Sequence, residues 1–177
     1  MRINVASLGS AALVVLVAMG AEPATVGAQT AGFGYAFGGP AWVQVGITDS
    51  AWHIGIGGER LSGAVGIGAE LGYVYVPPAE ETFPGGGGAF SPGGGGATLS
   101  ANGSYHFGGR RTGTRSARPF MTGGVIFILG AGYPFPSWNA GGGLDWWLTR
   151  RAGLRFEVRE QIIGPAMLGF RGGVVFR

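Results

Sequence analysis

Two residues that could act together in catalysis, Ser104 and His106, lie two positions apart in a stretch that alternates apolar and polar residues. In a β-strand such residues point to the same face, so the hydroxyl and the imidazole could meet a carboxylate there. A nucleophilic serine needs its base within about 2.6–3.2 Å. Because the spacing alone is unspecific, we expect no catalytic residue and interpret the two histidines, His53 and His106, as hydrogen-bonding residues.

A metal or cofactor site has equally little support. His53, His106, Glu70 and Asp145 could supply metal ligands, but they come from separate segments without a diagnostic spacing. The chain has no cysteine, which excludes thiolate sites and disulfides. Its glycine runs do not sit between a strand and a helix, as a phosphate-binding loop would. We therefore expect no metal and no cofactor.

The composition is typical of a membrane β protein. Glycine accounts for 39 of 177 residues, charged residues for 12%, and all twelve basic residues are arginine. A soluble domain usually carries about twice that charged fraction. The net charge of +3 is small and the arginines form no long run, so we expect no nucleic-acid partner.

Residues 1–28 resemble a cleaved signal peptide. Arg2 is followed by an apolar run over residues 11–19, and Val26-Gly27-Ala28 offers small residues at a cleavage site. A membrane-spanning helix needs about 20 apolar residues, so an uncleaved anchor is the weaker alternative. We predict one domain over residues 29–177.

The remaining chain is dominated by alternation with period two, as in Leu154–Arg159, where apolar and charged residues strictly alternate. We expect an interruption by a bulge at Gly38-Gly39-Pro40 and a flexible, glycine-rich loop over 77–97. Eight alternating segments are predicted as strands: Phe33–Val45, Trp52–Glu59, Ala64–Val76, Leu99–Phe107, Phe120–Leu129, Trp138–Leu148, Leu154–Arg159 and Leu168–Phe176.

The polar faces of these strands are predicted to point into a narrow barrel. Glycine weakens a solvent-exposed strand face but leaves room inside an eight-stranded barrel. An arginine facing lipid at the midplane would cost about 2–4 kcal/mol. The predicted lumen network, with a structural role, consists of Glu59, Glu70, Asp145, Arg155, Glu157, Arg159, Arg171, His53 and His106.

The apolar faces are predicted to contact lipid and to end in interfacial aromatic girdles. The alternative is a soluble, lipocalin-like barrel with inside and outside exchanged. The predicted girdle residues are Phe33, Trp52, Tyr73, Tyr75, Tyr105, Phe107, Phe120, Trp146 and Phe176.

We therefore predict an all-β fold, an eight-stranded antiparallel up-and-down transmembrane β-barrel with a side-chain-filled lumen. With both termini periplasmic, loop 77–96 is extracellular and the turns near 60, 110–117 and 150 are periplasmic. Arg110, Arg111, Arg115 and Arg118 make one of these turns basic; we expect it to be solvated, with anionic headgroups or a periplasmic partner as the alternative.

The pattern resembles the OmpA-type eight-stranded outer-membrane barrel domain over about residues 33–177. The resemblance rests on segments 118–124, 139–145 and 153–159, and on alternation that ends in Phe176, similar to the signal read by the barrel-assembly machinery. It implies a bacterial outer-membrane location, contact with lipopolysaccharide and other membrane lipids, and assembly by that machinery. It implies neither a ligand nor a catalytic residue.

A structural or adhesion-type role without a wide pore is the expected function, with loop 77–96 as the segment available to an extracellular ligand. Two alternatives stay open. One is a narrow porin-like channel. The other is a lipid-modifying enzyme similar to the lipid A deacylases, although their His-x-Ser motif is reversed here in Ser104-Tyr105-His106.

Overall fold

A computed structural model gives the fold of most of the chain beyond the predicted signal peptide, which lies outside the described residues. The structure describes residues 30–45, 47–82, 88–91, 93–107, 116–130, 133–162 and 166–177. In these ranges no helix has the length and apolar character needed to cross a membrane.

Ten β-strands make up the regular structure of the described residues. They are β1 Thr30–Val45, β2 Ile47–Ser62, β3 Val65–Val76, β4 Ala79–Thr82, β5 Gly88–Ser91, β6 Gly94–His106, β7 Ser116–Gly130, β8 Tyr133–Trp147, β9 Ala152–Ile162 and β10 Ala166–Phe176.

Eight of the strands close into a barrel in the order β1-β10-β9-β8-β7-β6-β3-β2. Every neighbouring pair is antiparallel, and β1 pairs with both β10 and β2, so the barrel has no free edge. The remaining two strands, β4 and β5, pair with each other outside the barrel. The predicted eight-stranded up-and-down fold is confirmed.

Alternation along each strand separates a polar interior from an apolar exterior. On β9, Arg155, Glu157 and Arg159 are buried, whereas Phe156 and Val158 are 49% and 41% exposed. Large exposed hydrophobic side chains surround the barrel on every strand from β1 to β3 and β6 to β10, including Ile56 at 61%. A belt of this kind is the lipid-facing surface of a transmembrane barrel.

Strand β1 has the opposite orientation to the predicted one. Phe33, Tyr35 and Phe37 were expected to face lipid, yet they are 7%, 3% and 8% exposed and point into the lumen. The phase of the segment at 120–129, which the sequence left open, also places Phe120 inside, at 2%. Phe33 and Phe120 are therefore wrong as girdle residues. The other seven predicted girdle aromatics are exposed by 43% or more.

The predicted bulge at Gly38-Gly39-Pro40 is also wrong. Across that stretch β1 keeps one register with β2, pairing Gly38 with Ile54 and Pro40 with Trp52. Pro40 lies on the exposed face. The proline is accommodated without an inserted residue, so the alternation on either side of it continues in phase.

Within the glycine-rich segment 77–97, described residues form strands where a flexible loop was predicted. Ala79–Thr82 and Gly88–Ser91 form an antiparallel hairpin, and the second glycine run enters barrel strand β6 at Gly94. Gly93, with a φ of 67°, makes the bend before β6 in a conformation that favours glycine. Residues 83–87 lie outside the described part of the chain.

The two ends of the barrel differ in their connections. One end, called the turn end, carries the β2–β3 turn at Gly63-Ala64 and the β8–β9 turn at Leu148–Arg151. The opposite end, called the hairpin end, carries the β4–β5 hairpin. Because antiparallel strands alternate in direction, β1 begins and β10 finishes at the turn end.

The lipid-facing assignment of the belt can be tested on β2. We expect Ile56→Arg to lower the free energy of unfolding by about 2–4 kcal/mol in phospholipid vesicles, because it places a charge near the bilayer midplane. Ser62→Arg is the matched control, since it lies on the same face of the same strand, six residues nearer the turn end. Equal urea midpoints for the two variants would contradict a lipid-facing belt.

Candidate functional site

The nine residues of the predicted lumen network come from six strands, and the structure places all of them inside the barrel. Each is at most 7% exposed. They separate into a central cluster of Glu70, Glu157, Arg159 and Arg171, and a turn-end cluster of Glu59, His106, Asp145 and Arg155. His53 lies nearer the hairpin end, where its Nε2 is 3.4 Å from the Thr98 hydroxyl.

The central cluster spans the lumen. Arg159 on β9 donates from Nη1 to Oε2 of Glu70 on β3 over 2.6 Å, and these two strands are four places apart in the closed order of eight. Arg171 on β10 donates to both Glu70 oxygens, over 2.9 and 3.2 Å. Since the side chains of opposite walls meet directly, the lumen is filled at this level.

Glu157 completes the central cluster. Its Oε2 accepts from Arg171 over 2.7 Å, and its Oε1 accepts from Arg159 Nε over 2.5 Å. Two carboxylates and two guanidinium groups are therefore held in reciprocal contact. Charges this deeply buried need paired and hydrogen-bonded partners, because the lumen no longer hydrates them as bulk water would.

Neutral polar side chains extend this cluster around the wall. Glu70 also accepts from the Tyr35 hydroxyl over 2.7 Å and from the Ser100 hydroxyl over 3.2 Å. The Asn102 side-chain amide donates to the Ser100 hydroxyl, and the Asn139 side-chain amide donates to Asn102 Oδ1 over 3.0 Å. The chain of hydrogen bonds runs from β3 through β6 to β8 and ties the central cluster to strands that contribute no charge to it.

The turn-end cluster is built around Glu59. Its Oε1 accepts the hydrogen bond of the Ser104 hydroxyl and lies 2.6 Å from His106 Nε2. On the other side of the ring, His106 Nδ1 is 3.7 Å from Asp145 Oδ2. Arg155 lies 3.3 Å from Asp145 and 3.6 Å from Glu157, which joins the two clusters.

This geometry directs the Ser104 hydroxyl to a carboxylate and not to the imidazole. Ser104 and His106 both reach the same Glu59 oxygen, and His106 is 1% exposed. A catalytic serine instead needs a base beside its hydroxyl and access for a substrate. The arrangement is suited to holding β2, β6 and β8 together.

Aromatic rings that the sequence interpretation placed outside stack on the buried arginines. The Arg155 guanidinium carbon lies 3.9 Å from the Phe120 ring centroid and 4.4 Å from that of Tyr35. Arg171 lies 3.8 Å from the Phe37 ring centroid. Desolvated contacts of this type stabilise a cation over an aromatic face by up to about 2 kcal/mol.

The inward rings fill space that glycines on the neighbouring strands leave free, since Tyr35 pairs with Gly57 and Phe120 pairs with Gly143. A Cβ at Gly57 would lie 2.6 Å from the Tyr35 ring, and one at Gly143 would lie 2.8 Å from the Phe120 ring. The lumen glycines had been expected to make room for arginine and glutamate. They also make room for aromatic rings. The glycines of β2 were therefore the signal in the sequence that could have indicated the orientation of β1.

Apolar side chains close the lumen on either side of the charges. At the turn end, a cluster that includes Phe33, Leu61, Trp147 and Val175 is buried, and the Phe33 and Trp147 rings meet edge to face at 6.0 Å. At the hairpin end, the buried residues Ala41, Ala51 and Met167 pack with Val74 and Val76. The charged section of the lumen therefore lies between two apolar layers.

The described His, Asp and Glu residues include no group of three or more arranged to hold a metal ion. Around His106, the Nε2 atom is directed to Glu59 and the Nδ1 atom is 3.7 Å from Asp145. Each carboxylate also lies beside Arg155. The contacts are those of ion pairs and hydrogen bonds between side chains.

Two solved structures show what this barrel is similar to. The N-terminal β-barrel domain of Pseudomonas aeruginosa OprF aligns with a TM-score of 0.55 and 17% identity, covering 85% of this chain and 98% of that domain. Neisserial surface protein A (NspA) aligns with a TM-score of 0.62 and 10% identity, covering 84% and 98%. No family model and no curated protein matches the sequence. The chain thus has the fold of an OmpA-type eight-stranded outer-membrane barrel.

The contribution of the central cluster can be measured on β9. We expect Glu157→Ala to lower the free energy of unfolding by about 3–5 kcal/mol, because Arg159 and Arg171 lose a shared buried partner. The matched control is Glu160→Ala, which removes a carboxylate from the exposed face of the same strand. Urea titrations in vesicles or detergent should show a change of under about 1 kcal/mol for the control. Similar losses for both variants would contradict a structural role for the cluster.

Proposed function

We propose that this protein is a bacterial outer-membrane barrel with a structural or surface-interaction role and without a wide pore. The observation that carries the proposal is the pairing of Glu70 with Arg159 and Arg171 across the lumen, between two apolar layers. Opening a water-filled path would require breaking several buried ion pairs together.

The outer-membrane location rests on the fold and on the sequence signals. A closed barrel with an apolar exterior satisfies its backbone hydrogen bonds within a bilayer. The proposed signal peptide over residues 1–28 would export the chain, and the alternation ending in Phe176 would present it to the barrel-assembly machinery. Membrane lipids, including lipopolysaccharide, would then surround the belt.

The surface-interaction part of the proposal rests on the hairpin end. The β4–β5 hairpin extends beyond the barrel wall and brings Glu80 and Glu81 with it. Because it belongs to a separate two-stranded sheet, this segment can vary without disturbing the barrel register. We propose loop 77–96 as the part that meets an extracellular ligand.

We further infer that the protein acts without catalysis. Ser104, His106 and Glu59 hold neighbouring strands together inside the barrel. A lipid substrate would approach from the exterior, where the opposite faces of these strands present apolar side chains such as Tyr105 and Phe107.

The closed lumen predicts an absence of stable conductance. Wild-type protein inserted into planar bilayers should show no long-lived open steps, because the central cluster blocks the lumen between its apolar layers. Insertion is established in the same preparation by the mobility difference between boiled and unboiled samples on a gel. Large, long-lived channels from fully folded protein would overturn the proposal in favour of a porin-like function.

The topology predicts which end faces the medium. An epitope tag inserted within residues 84–86 should bind antibody on intact cells, because the hairpin end faces outward in this arrangement. A tag between Arg150 and Arg151 is the control and should bind only after the outer membrane is permeabilised. Labelling of the second tag on intact cells would reverse the proposed orientation.

A further inference from the structure

The two ends of the barrel carry opposite charge. Five described arginines lie at the turn end, namely Arg60, Arg118, Arg150, Arg151 and Arg177, and the exposed Arg60, Arg150 and Arg151 are called the basic rim. At the hairpin end, the charged residues of the described strands that do not belong to the two lumen clusters are all acidic by sequence, namely Asp49, Glu80, Glu81 and Glu160.

Arg60 lies at the height where lipid headgroups would be. It is exposed on the lipid-facing side of β2, four residues beyond Ile56. A strand rises about 3.4 Å per residue and is tilted by about 40°, so Arg60 is about 10 Å below Ile56 along the membrane normal. Since the apolar band of such barrels is about 25 Å tall, its guanidinium group is near the edge of the band.

Arg150 and Arg151 are held close to the same level by a tight turn. The Leu148 and Thr149 amides both donate to the Ala152 carbonyl, over 3.1 and 2.9 Å. The Thr149 hydroxyl accepts from the Arg151 and Ala152 amides. A turn fixed in this way cannot extend far from the membrane, so both guanidinium groups stay near it.

The rim is continuous with the aromatic girdle of the turn end. Trp146 and Leu148, each 43% exposed, flank the β8–β9 turn, and Phe176 precedes Arg177 at 50%. The Arg177 amide donates to the Arg151 carbonyl over 2.9 Å, which joins the β10 terminus to this turn. Arg118 donates to the Gly63 carbonyl at the β2–β3 turn. Arg118 and Arg177 lie on the inward side of their strands, Arg177 over the ring of the buried Trp147, so the lipid-side charge of this end comes from Arg60, Arg150 and Arg151.

We propose that the basic rim binds the phosphate groups of anionic phospholipids in the leaflet that surrounds the turn end. The proposal rests on the proposed function, because it needs the barrel to lie in a membrane. The planar guanidinium fork suits bidentate hydrogen bonding to phosphate. A lipid fits better than a periplasmic polymer, since Arg60 is on the lipid-facing side of β2, and the exposed Trp146 and Leu148 flank the β8–β9 turn that carries Arg150 and Arg151.

The test compares lipids in the layer next to the folded barrel. Full-length mature protein is refolded in phosphatidylcholine vesicles that contain a trace of spin-labelled phosphatidylglycerol or spin-labelled phosphatidylcholine. The immobilised fraction in the electron paramagnetic resonance spectrum gives the relative association constant. One basic residue near an anionic surface contributes about 1 kcal/mol, which is about a five-fold preference for an anionic lipid at that position. Most lipid positions around the barrel are not next to the rim, so we expect at least about a two-fold preference for phosphatidylglycerol in the average over the whole barrel.

Three variants show whether the rim causes this preference. The triple variant Arg60→Gln, Arg150→Gln, Arg151→Gln should bring the ratio of association constants close to one. The same positions changed to lysine should retain most of the preference, because the charge remains. The matched control Asp49→Asn, Glu160→Gln changes net charge at the hairpin end and should behave as the wild type does.

Each outcome bears on the proposal. A wild-type ratio of one, or an unchanged ratio in the glutamine variant, would overturn it. The proposal would also be overturned if the Asp49, Glu160 control gained as much preference for phosphatidylglycerol as the triple variant lost. The net charge of the protein would then be the cause, and not the position of the arginines. If the glutamine variant does not fold, the test uses the wild type at about 1 M salt, where the screening length is about 3 Å. The preference for phosphatidylglycerol should then fall. A preference that stays the same at this salt concentration would contradict an electrostatic interaction with the rim.

Two further measurements distinguish the basic-rim proposal from the proposed function and from binding to peptidoglycan. Failure of the wild type to show heat-modifiable insertion would count against the proposed function, whereas insertion without lipid preference would reject the basic rim alone. Sedimentation with purified peptidoglycan sacculi tests the polymer alternative. Arginine-dependent binding to sacculi, with no phosphatidylglycerol preference, would replace the lipid proposal.

Discussion

The contact on which the rest of the barrel depends is the meeting of Glu70 with Arg159 and Arg171 across the lumen. An eight-stranded barrel has an interior only wide enough for side chains, and those side chains must satisfy one another away from bulk water. Charges from β3, β9 and β10 do so by pairing directly. Because β3 is far from β9 and β10 in the sequence, the pairs made by Glu70 also specify how the barrel closes.

Once the centre is occupied by ion pairs, the remaining interior follows from packing around them. The Arg155 guanidinium group lies over the Tyr35 and Phe120 rings, and that of Arg171 lies over the Phe37 ring. Glycines on the neighbouring strands leave the space for these rings, as at Gly57 and Gly143. The lumen is therefore a packed core with its ion pairs at mid-height and clusters of apolar side chains nearer the two ends, the cluster at the hairpin end lying beside the buried Gln161.

In the proposed function, a filled lumen leaves the exterior and the ends of the barrel as the surfaces for functional contacts. The apolar belt accounts for insertion in a bilayer, and the two ends differ in charge and in the length of their connections. The hairpin end offers an acidic, separately folded β4–β5 segment. The turn end offers arginines set beside exposed aromatic side chains. These two ends are the places where partners of different chemistry would be distinguished.

The sequence by itself determined the strand pattern and the inward direction of the charges. Alternation such as that of Leu154–Arg159 leaves two orientations, and the cost of placing arginine in lipid selects one. The eight barrel strands and the buried position of all nine predicted lumen residues could therefore be obtained from local pattern and composition. Period two is a property of each strand alone, so no long-range information is needed for it.

Only the tertiary structure decided the orientation of β1 and the identity of the ion pairs. Neither face of β1 carries a charge, so its aromatic residues could satisfy either lipid or a packed lumen, and the glycines of neighbouring strands decide between them. Likewise, Glu70 meets Arg159 because β3 and β9 stand opposite each other in the closed order. That relation depends on strand order and register around the whole barrel, which no single segment of the sequence contains.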